Sequence, residues 1–214
     1  MSEQTDTPQD NIDKEKIYYD QRSVALRTTQ SIYFVKEHDK SAMLELLLSD
    51  DKETQVVIVV KSKKKADALS ALLTSKAFKA VAVHGNHRET QQQEAATKFN
   101  EGALHIIITT DMILKTLALE NIKLVVSYDL PDAPQEYYNR LATMKELGVG
   151  MALVSPEDEY NLDEIEHNMK KEIEEKTVEG FVPTATPTHT NKTKKDRTKK
   201  PRHRKKKVQK EEDA

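Results

Sequence analysis

The chain has 214 residues, enough for one domain of ordinary size with tails, and its 36% hydrophobic and 33% charged content is polar for a globular protein, so part of it is expected not to fold. It has no cysteine, which excludes disulfides and thiolate chemistry. The opening MSEQTDTPQDNIDKE lacks the apolar core of a signal peptide and no apolar run reaches membrane-spanning length, so the expectation is a soluble cytoplasmic protein.

In chain order, residues 1–14 are polar and acidic and are expected to be disordered. Residues 31–35 (SIYFV) read as an entering strand, and 39–48 as a helix with Ala42, Met43, Leu46 and Leu47 on one face. Residues 55–60 (QVVIVV) read as a strand buried on both faces. Ser62 then suits an N-cap for a helix over 63–75, where Ala66, Leu69, Leu72 and Leu73 recur at helical spacing. The stretch 80–131 organises the rest. Its apolar runs at 80–83, 105–108 and 124–126 alternate with an amphipathic segment over 89–99, carrying Ala95, Ala96 and Phe99, and with a short connector. Strand, helix and strand joined by short links make a crossover unit, so the sheet should be parallel. A helix over 133–144, a strand over 150–154 and a charged helix over 157–176, with Leu162, Ile165, Met169 and Ile173 as its stripe, complete a three-layer α/β domain spanning 15–183.

From 184 onward the composition turns to Thr, Pro, Lys and Arg, and structure is expected to stop. The net charge of −2 conceals a division: residues 191–214 hold 12 Lys and Arg against 4 Asp and Glu, a net of +8, which leaves −10 for the remainder. That is the pattern of an acidic folded body with a basic interaction tail.

Parallel sheets place function at the carboxyl ends of their strands. Here those ends read His84-Gly85, Thr109-Thr110-Asp111 and Tyr128-Asp129. The five glycines, at 85, 102, 148, 150 and 180, form neither a GxxxxGKS/T nor a GxGxxG turn, so no nucleotide cofactor is expected within this chain. His84 and His87 have no acidic or cysteine partners at metal-ligand spacing, so no metal is expected either.

The order of these segments resembles the second RecA-like domain of DEAD-box RNA helicases. The resemblance rests on VVIVVKSKKKADALSALL, on His84-Gly85 with a helix ending at Phe99, on Thr109-Thr110-Asp111, on Ser127-Tyr128-Asp129-Leu130-Pro131 and on Glu136-Tyr137-Tyr138-Asn139-Arg140. The flanks QSIYFVKEHDKSAMLELLL and IEHNMKKEIEEKTVEGFVP are similar to the bacterial RhlE-type branch. The resemblance implies a RecA-like fold of the P-loop NTPase type and a role in RNA metabolism.

Departures from the family pattern bear on activity. The family's QxxR falls on Glu89 and Gln92, and VAARGLD becomes a run in which Lys115, Thr116 and Ala118 stand for arginine, glycine and aspartate. In HRIGRTGR, Arg140 survives as a vestigial nucleotide-binding position, but the two later arginines become Thr143 and Glu146. An arginine finger neutralises charge on the transferred phosphoryl group and contributes roughly 10³–10⁵ in rate. With the phosphate loop and the Asp-Glu-Ala-Asp motif also absent from these 214 residues, the expectation is a degenerate, stand-alone helicase C-terminal domain with no catalytic residues.

Three functions follow: an RNA-binding module, a protein that regulates a helicase, a nuclease or a ribosomal particle, and half of a split helicase. The tail favours the first. Family positions assign RNA contact to Ser62, Lys63, His84, Gly85, Thr110, Asp111 and Lys115. Ser62 reads equally as an N-cap, Asp111 as a cap and Gly85 as a turn residue. In the tail, Lys194, Lys195, Arg197, Lys199, Lys200, Arg202, Arg204, Lys205, Lys206 and Lys207 supply phosphate-neutralising charge. Such a tail also serves solubility or any polyanion.

Overall fold

The computed structural model describes residues 28–49, 53–144 and 148–184. Residues 1–14, the expected start of the domain at 15, Glu146 and the basic tail lie outside the described residues.

Seven strands form one sheet: β1 (Thr29–Phe34), β2 (Val56–Val59), β3 (Ala80–Val83), β4 (Ile106–Thr109), β5 (Leu124–Ser127), β6 (Val149–Val154) and β7 (Glu174–Glu175). The helices between them are α1 (Lys40–Ser49), α2 (Lys63–Ser75), α3 (Glu89–Asn100), α4 (Asp111–Leu114), α5 (Pro134–Ala142) and α6 (Glu159–Met169). The sheet order is β3-β4-β2-β5-β6-β1-β7, and every pairing is parallel. Alternate residues feed two apolar layers. Val57, Val59, Ile107, Val125 and Val154 pack with Phe99 of α3, Tyr137 and Leu141 of α5 and Leu162 of α6. Val56, Ile58, Ile106, Ile108 and Val126 pack with Leu44 of α1 and Leu69 and Leu73 of α2. Both faces of the central strands are therefore covered, which is why these strands read as unbroken apolar runs. The three-layer α/β expectation holds.

Three elements differ from the sequence reading. Helix α1 buries Lys40, Met43, Leu44 and Leu48, while Ala42 and Leu46 are exposed. A buried lysine takes a place that apolar periodicity assigns to other residues. The helix expected over 157–176 is shorter: a 3₁₀ turn at Pro156–Asp158 precedes α6, which ends at Met169 because Lys170 adopts the left-handed conformation, φ 54. Beyond that turn Ile173 still reaches the core, and Glu174–Glu175 pairs with β1 at the sheet edge. The connector after β4 contains the single turn α4. Among the described residues no helix is long and apolar enough to cross a membrane.

Candidate nucleic-acid interface at the carboxyl ends of the strands

The parallel sheet delivers the ends of β1, β2, β4, β5 and β6 to one edge, where charged side chains form a connected network. Its centre is Lys40, with no exposed surface. Its ammonium lies 2.9 Å from Asp158 Oδ2, 3.0 Å from Glu37 and 3.6 Å from Asp129. Asp129, at the end of β5, also accepts the Lys61 backbone N–H at 2.9 Å and the Lys65 ammonium at 2.7 Å. Lys65 reaches Glu37 as well, at 2.6 Å. Burial works against the charge on Lys65, but the hydrogen bonds its ammonium donates to Asp129 and Glu37 outweigh it and raise its pKa. Burial likewise raises the Asp158 carboxyl, yet hydrogen bonds from Lys40 and Ser155 leave it below the usual carboxylate range. Burial, with Glu37 and Asp129 nearby, pushes the Tyr128 phenol up to about 12.

A second knot joins α4 and α5. Arg140 is 1% exposed; its Nε and Nη2 donate to the two oxygens of Asp111 at 2.6 and 2.7 Å, and Nη1 donates to the Asp129 carbonyl at 2.7 Å. This fork-to-fork geometry is the strong form of an ion pair. The Thr143 hydroxyl turns back to donate to the Arg140 carbonyl at 2.6 Å. Lys115 on the rim donates to Glu136 at 2.8 Å.

The third group closes the end of β3. His84 is buried. Its Nδ1 faces the Asn86 N–H at 3.4 Å and its Nε2 lies 2.8 Å from Asp67 Oδ1, which fits a proton on Nε2. Its ring stacks on His87 at 4.2 Å, and the Gln92 amide donates to the His87 carbonyl at 2.9 Å. The Lys63 ammonium donates to Asn86 Oδ1 at 2.7 Å. A Cβ at Gly85 would meet Lys63 Nζ at 3.6 Å and Ile113 at 3.9 Å, ordinary contacts. Gly85 is therefore not demanded by space. The Ser62 hydroxyl accepts from the Lys65 N–H at 3.2 Å, the N-cap anticipated from sequence.

A cleft of about 470 Å³ runs between these groups, lined by Lys61, Lys63, Thr110, Asp111, Met112 and Asp132 among others. Thr110 and Asp111 stand on its wall, but Asp111 is held by Arg140. A shallower depression of about 600 Å³ carries Lys115, Asn139 and Thr143. The structure thus brings Ser62, Lys63, Thr110 and Asp111 to one edge with His84 and Gly85 beside them, and sets Lys115 apart. The tail residues Lys194 to Lys207 lie outside the described residues. Sequence reasoning missed Lys40, Lys61, Lys65 and Asp158, and it placed Asp129 at a functional strand end without foreseeing the cations it binds. The available signal was Lys40 standing three and four residues before Met43 and Leu44, on the buried side of a helix. Among the described residues no group of three His, Cys, Asp or Glu is placed to hold a metal.

Residues 39–144 match the family described as helicase conserved C-terminal domain. The chain is 32% identical over 170 residues to ATP-dependent RNA helicase SUB2-2 of Vanderwaltozyma polyspora, covering 77% of this chain and 38% of that protein. The chain therefore spans about two fifths of the length of that curated relative. In fold it is similar to the E. coli DEAD-box protein SrmB, solved bound to regulator of ribonuclease activity A, with TM-score 0.69 and 18% identity over 74% of this chain and 95% of that one. It is also similar to S. cerevisiae Dbp5 bound to RNA and ADP BeF3, with TM-score 0.65 and 23% identity over 72% of this chain and 42% of that one. The described residues are a C-terminal RecA-like domain of the DEAD-box helicase family.

Proposed function

We propose that this chain is a non-catalytic RNA-binding member of the DEAD-box family, gripping RNA through its basic tail and its strand-end loops. The observation that carries the reading is an asymmetry. Positions that face nucleotide in the family have lost their chemistry, with Ala118, Thr143 and Glu146 in place of aspartate and two arginines, while 12 cations are gathered in residues 191–214. The hydroxyl of Thr143 is engaged with its own helix, and Arg140, the surviving arginine, is spent on Asp111 and Asp129; both fit a positioning rather than a nucleotide-binding role. Catalysis as half of a split helicase is disfavoured by the same losses.

The test is RNA affinity across a salt series, comparing the full chain with one ending at Thr184. With about six phosphates contacted by the tail, log affinity for single strands should fall with log salt at a slope of roughly −4. Truncation should weaken binding and flatten the slope. Equal affinity and slope in both proteins would remove the tail from the mechanism. A second reading, docking on a protein regulator, draws on SrmB, whose similar chain is bound to regulator of ribonuclease activity A. It predicts nuclease-insensitive capture of a protein partner.

A further inference from the structure

Residues 176–184 form a strap. After β7 the chain stays on the sheet edge, where the Lys176 N–H donates to the Ile32 carbonyl of β1 at 2.9 Å. Val178 and Phe181 pack against the apolar layer shared by α1 and α2. Between them Gly180 takes φ 78, in the left-handed region that favours glycine, and the Phe181 N–H closes a turn on the Val178 carbonyl at 3.3 Å. The strap ends on Thr184. Its hydroxyl donates to one oxygen of Asp39 at 2.5 Å and its N–H to the other at 3.1 Å. The Lys36 ammonium lies 3.5 Å from the Thr184 carbonyl.

Asp39 is buried and sits in the 3₁₀ turn Glu37–Asp39 that leads into α1. An aspartate at a helix start ordinarily turns its carboxylate to the amides of that helix. Asp39 turns both oxygens to a residue 145 positions away instead. A buried carboxylate is costly without donors, and here the strap supplies them. The half-exposed His38 stands 3.6 Å from the same carboxylate. A local rule set aside in this way marks a position chosen for something other than capping its own helix.

The clasp also has a place in the fold. Residues 36–39 join the carboxyl end of β1 to α1, and the same connection carries Glu37 and leads into Lys40, two members of the charged network. The strap starts beside Ile32, midway along β1, and rises to the carboxyl-end edge. Eight residues beyond Thr184, at Lys192, the Lys- and Arg-rich run begins. The clasp therefore fixes the root of that run at the edge where the strand ends lie. Without it the root falls back to Lys176 in the middle of β1.

We infer that the strap is an anchor for the basic tail, and that Asp39 is a positioning residue which holds the tail's root beside the strand ends, so that RNA captured by the tail is delivered to that edge. This rests on the RNA-binding reading above and gives the folded body its part in it. Freeing the strap back to Lys176 lengthens the tether to Pro201, the middle of the basic run, from 17 residues to 25. Effective concentration falls roughly as the −3/2 power of tether length, so the loss at the edge is about twofold.

The chain has no cysteine, so an introduced thiol takes a photo-cross-linker at a single place. One is set at Tyr160→Cys, exposed at the start of α6 on the carboxyl-end edge, and in a second protein at Glu101→Cys, exposed where α3 ends on the opposite edge. Full-length chains bind single-stranded oligouridylate, and the cross-linked yield per bound RNA is read. The yield should be higher at Tyr160→Cys than at Glu101→Cys. Adding Asp39→Ala should lower the Tyr160→Cys yield about twofold. Thr184→Val, which removes only the hydroxyl of an exposed residue, should lower it in the same direction. Inserting eight Gly and Ser residues after Thr184, with the clasp intact, should match the loss in Asp39→Ala without moving the thermal midpoint. Equal yields at the two edges in the wild-type background refute the anchor. Unchanged yields in both clasp variants refute it too, and a lowered midpoint alongside them makes the clasp a stabilising contact only. A wild-type chain that binds no RNA overturns the RNA-binding reading, an outcome distinct from bound RNA that cross-links alike at both edges.

Discussion

Replacing Arg140 by methionine tests whether the knot between α4 and α5 organises the site. Methionine keeps most of the volume and the apolar stem but removes every donor. The change strands the Asp111 carboxylate, which loses both its hydrogen bonds, and leaves the Asp129 carbonyl without the Nη1 donor. Breaking a buried ion pair by deleting one partner costs about 3–5 kcal/mol, because the remaining charge is uncompensated. The Asp111 side chain retains 28% exposure, so water recovers part of that loss. The expected cost therefore lies near the lower limit, about 3 kcal/mol. For a domain of this size that is a fall of roughly 6–12 °C in melting temperature. Circular dichroism during urea and thermal unfolding of the full chain reads it directly. Adding Asp111→Leu removes the stranded charge, so the double variant should be more stable than Arg140→Met alone, with a residual loss of about 1 kcal/mol for the carbonyl. The reasoning fails if Arg140→Met stays within about 0.5 kcal/mol of the wild type. It fails equally if the two substitutions add.

Other outcomes follow from the same contacts. Asp158 has a folded pKa below its unfolded value near 3.8, so its contribution is present above that value and lost as pH falls through the lower folded pKa; urea unfolding between about pH 5 and 2 should show the decline. In Lys40→Met, burial acts on Asp158 without its main partner, so the deficit relative to wild type should shrink as pH falls; a deficit independent of pH refutes the linkage. The 214-residue chain should show no RNA-stimulated ATP turnover, and a rate near about 1 per second would contradict the loss of the arginines. Residues 15–184 should unfold cooperatively. A chain cut at 183 should melt lower, because Thr184 donates its hydroxyl to Asp39 at 2.5 Å and its N–H at 3.1 Å, contacts that hold the Asp39 carboxyl below its usual range.

What was legible in the sequence were the elements whose burial is uniform. Val56–Val59 and Ile106–Thr109 are covered on both faces, so composition alone identifies them as strands. Ser62 declares its cap because a side-chain acceptor there satisfies an otherwise orphaned amide. The charge network was not legible. Lys40 takes a core position only because Glu37, Asp129 and Asp158 converge on it, and two of those lie far away in sequence. The same holds for Arg140, whose partner Asp111 is 29 residues distant. Edge strand β7 carries glutamates and no apolar signal, since its pairing with β1 uses the backbone alone. Pairing of Lys115 with Glu136 separates it from Lys63, although both looked like equivalent cations in the sequence.

These pairings weigh on the RNA-binding role we propose. Outside residues 191–214 the chain carries a net charge of −10, so at long range it repels RNA and its cations act only over short distances. Ion pairs such as Lys61–Asp132 and Lys65–Glu37 present dipoles to an approaching phosphate and release few counterions when it arrives. A phosphate reaching Lys115 must also displace Glu136. On the RNA-binding role we propose, first capture therefore falls to the +8 tail and not to the acidic body. In that proposed role the tail raises the local concentration of RNA without regard to sequence. A chain ending at Thr184 should therefore keep little of the full chain's affinity, and added salt should weaken the full chain far more steeply than the truncated one.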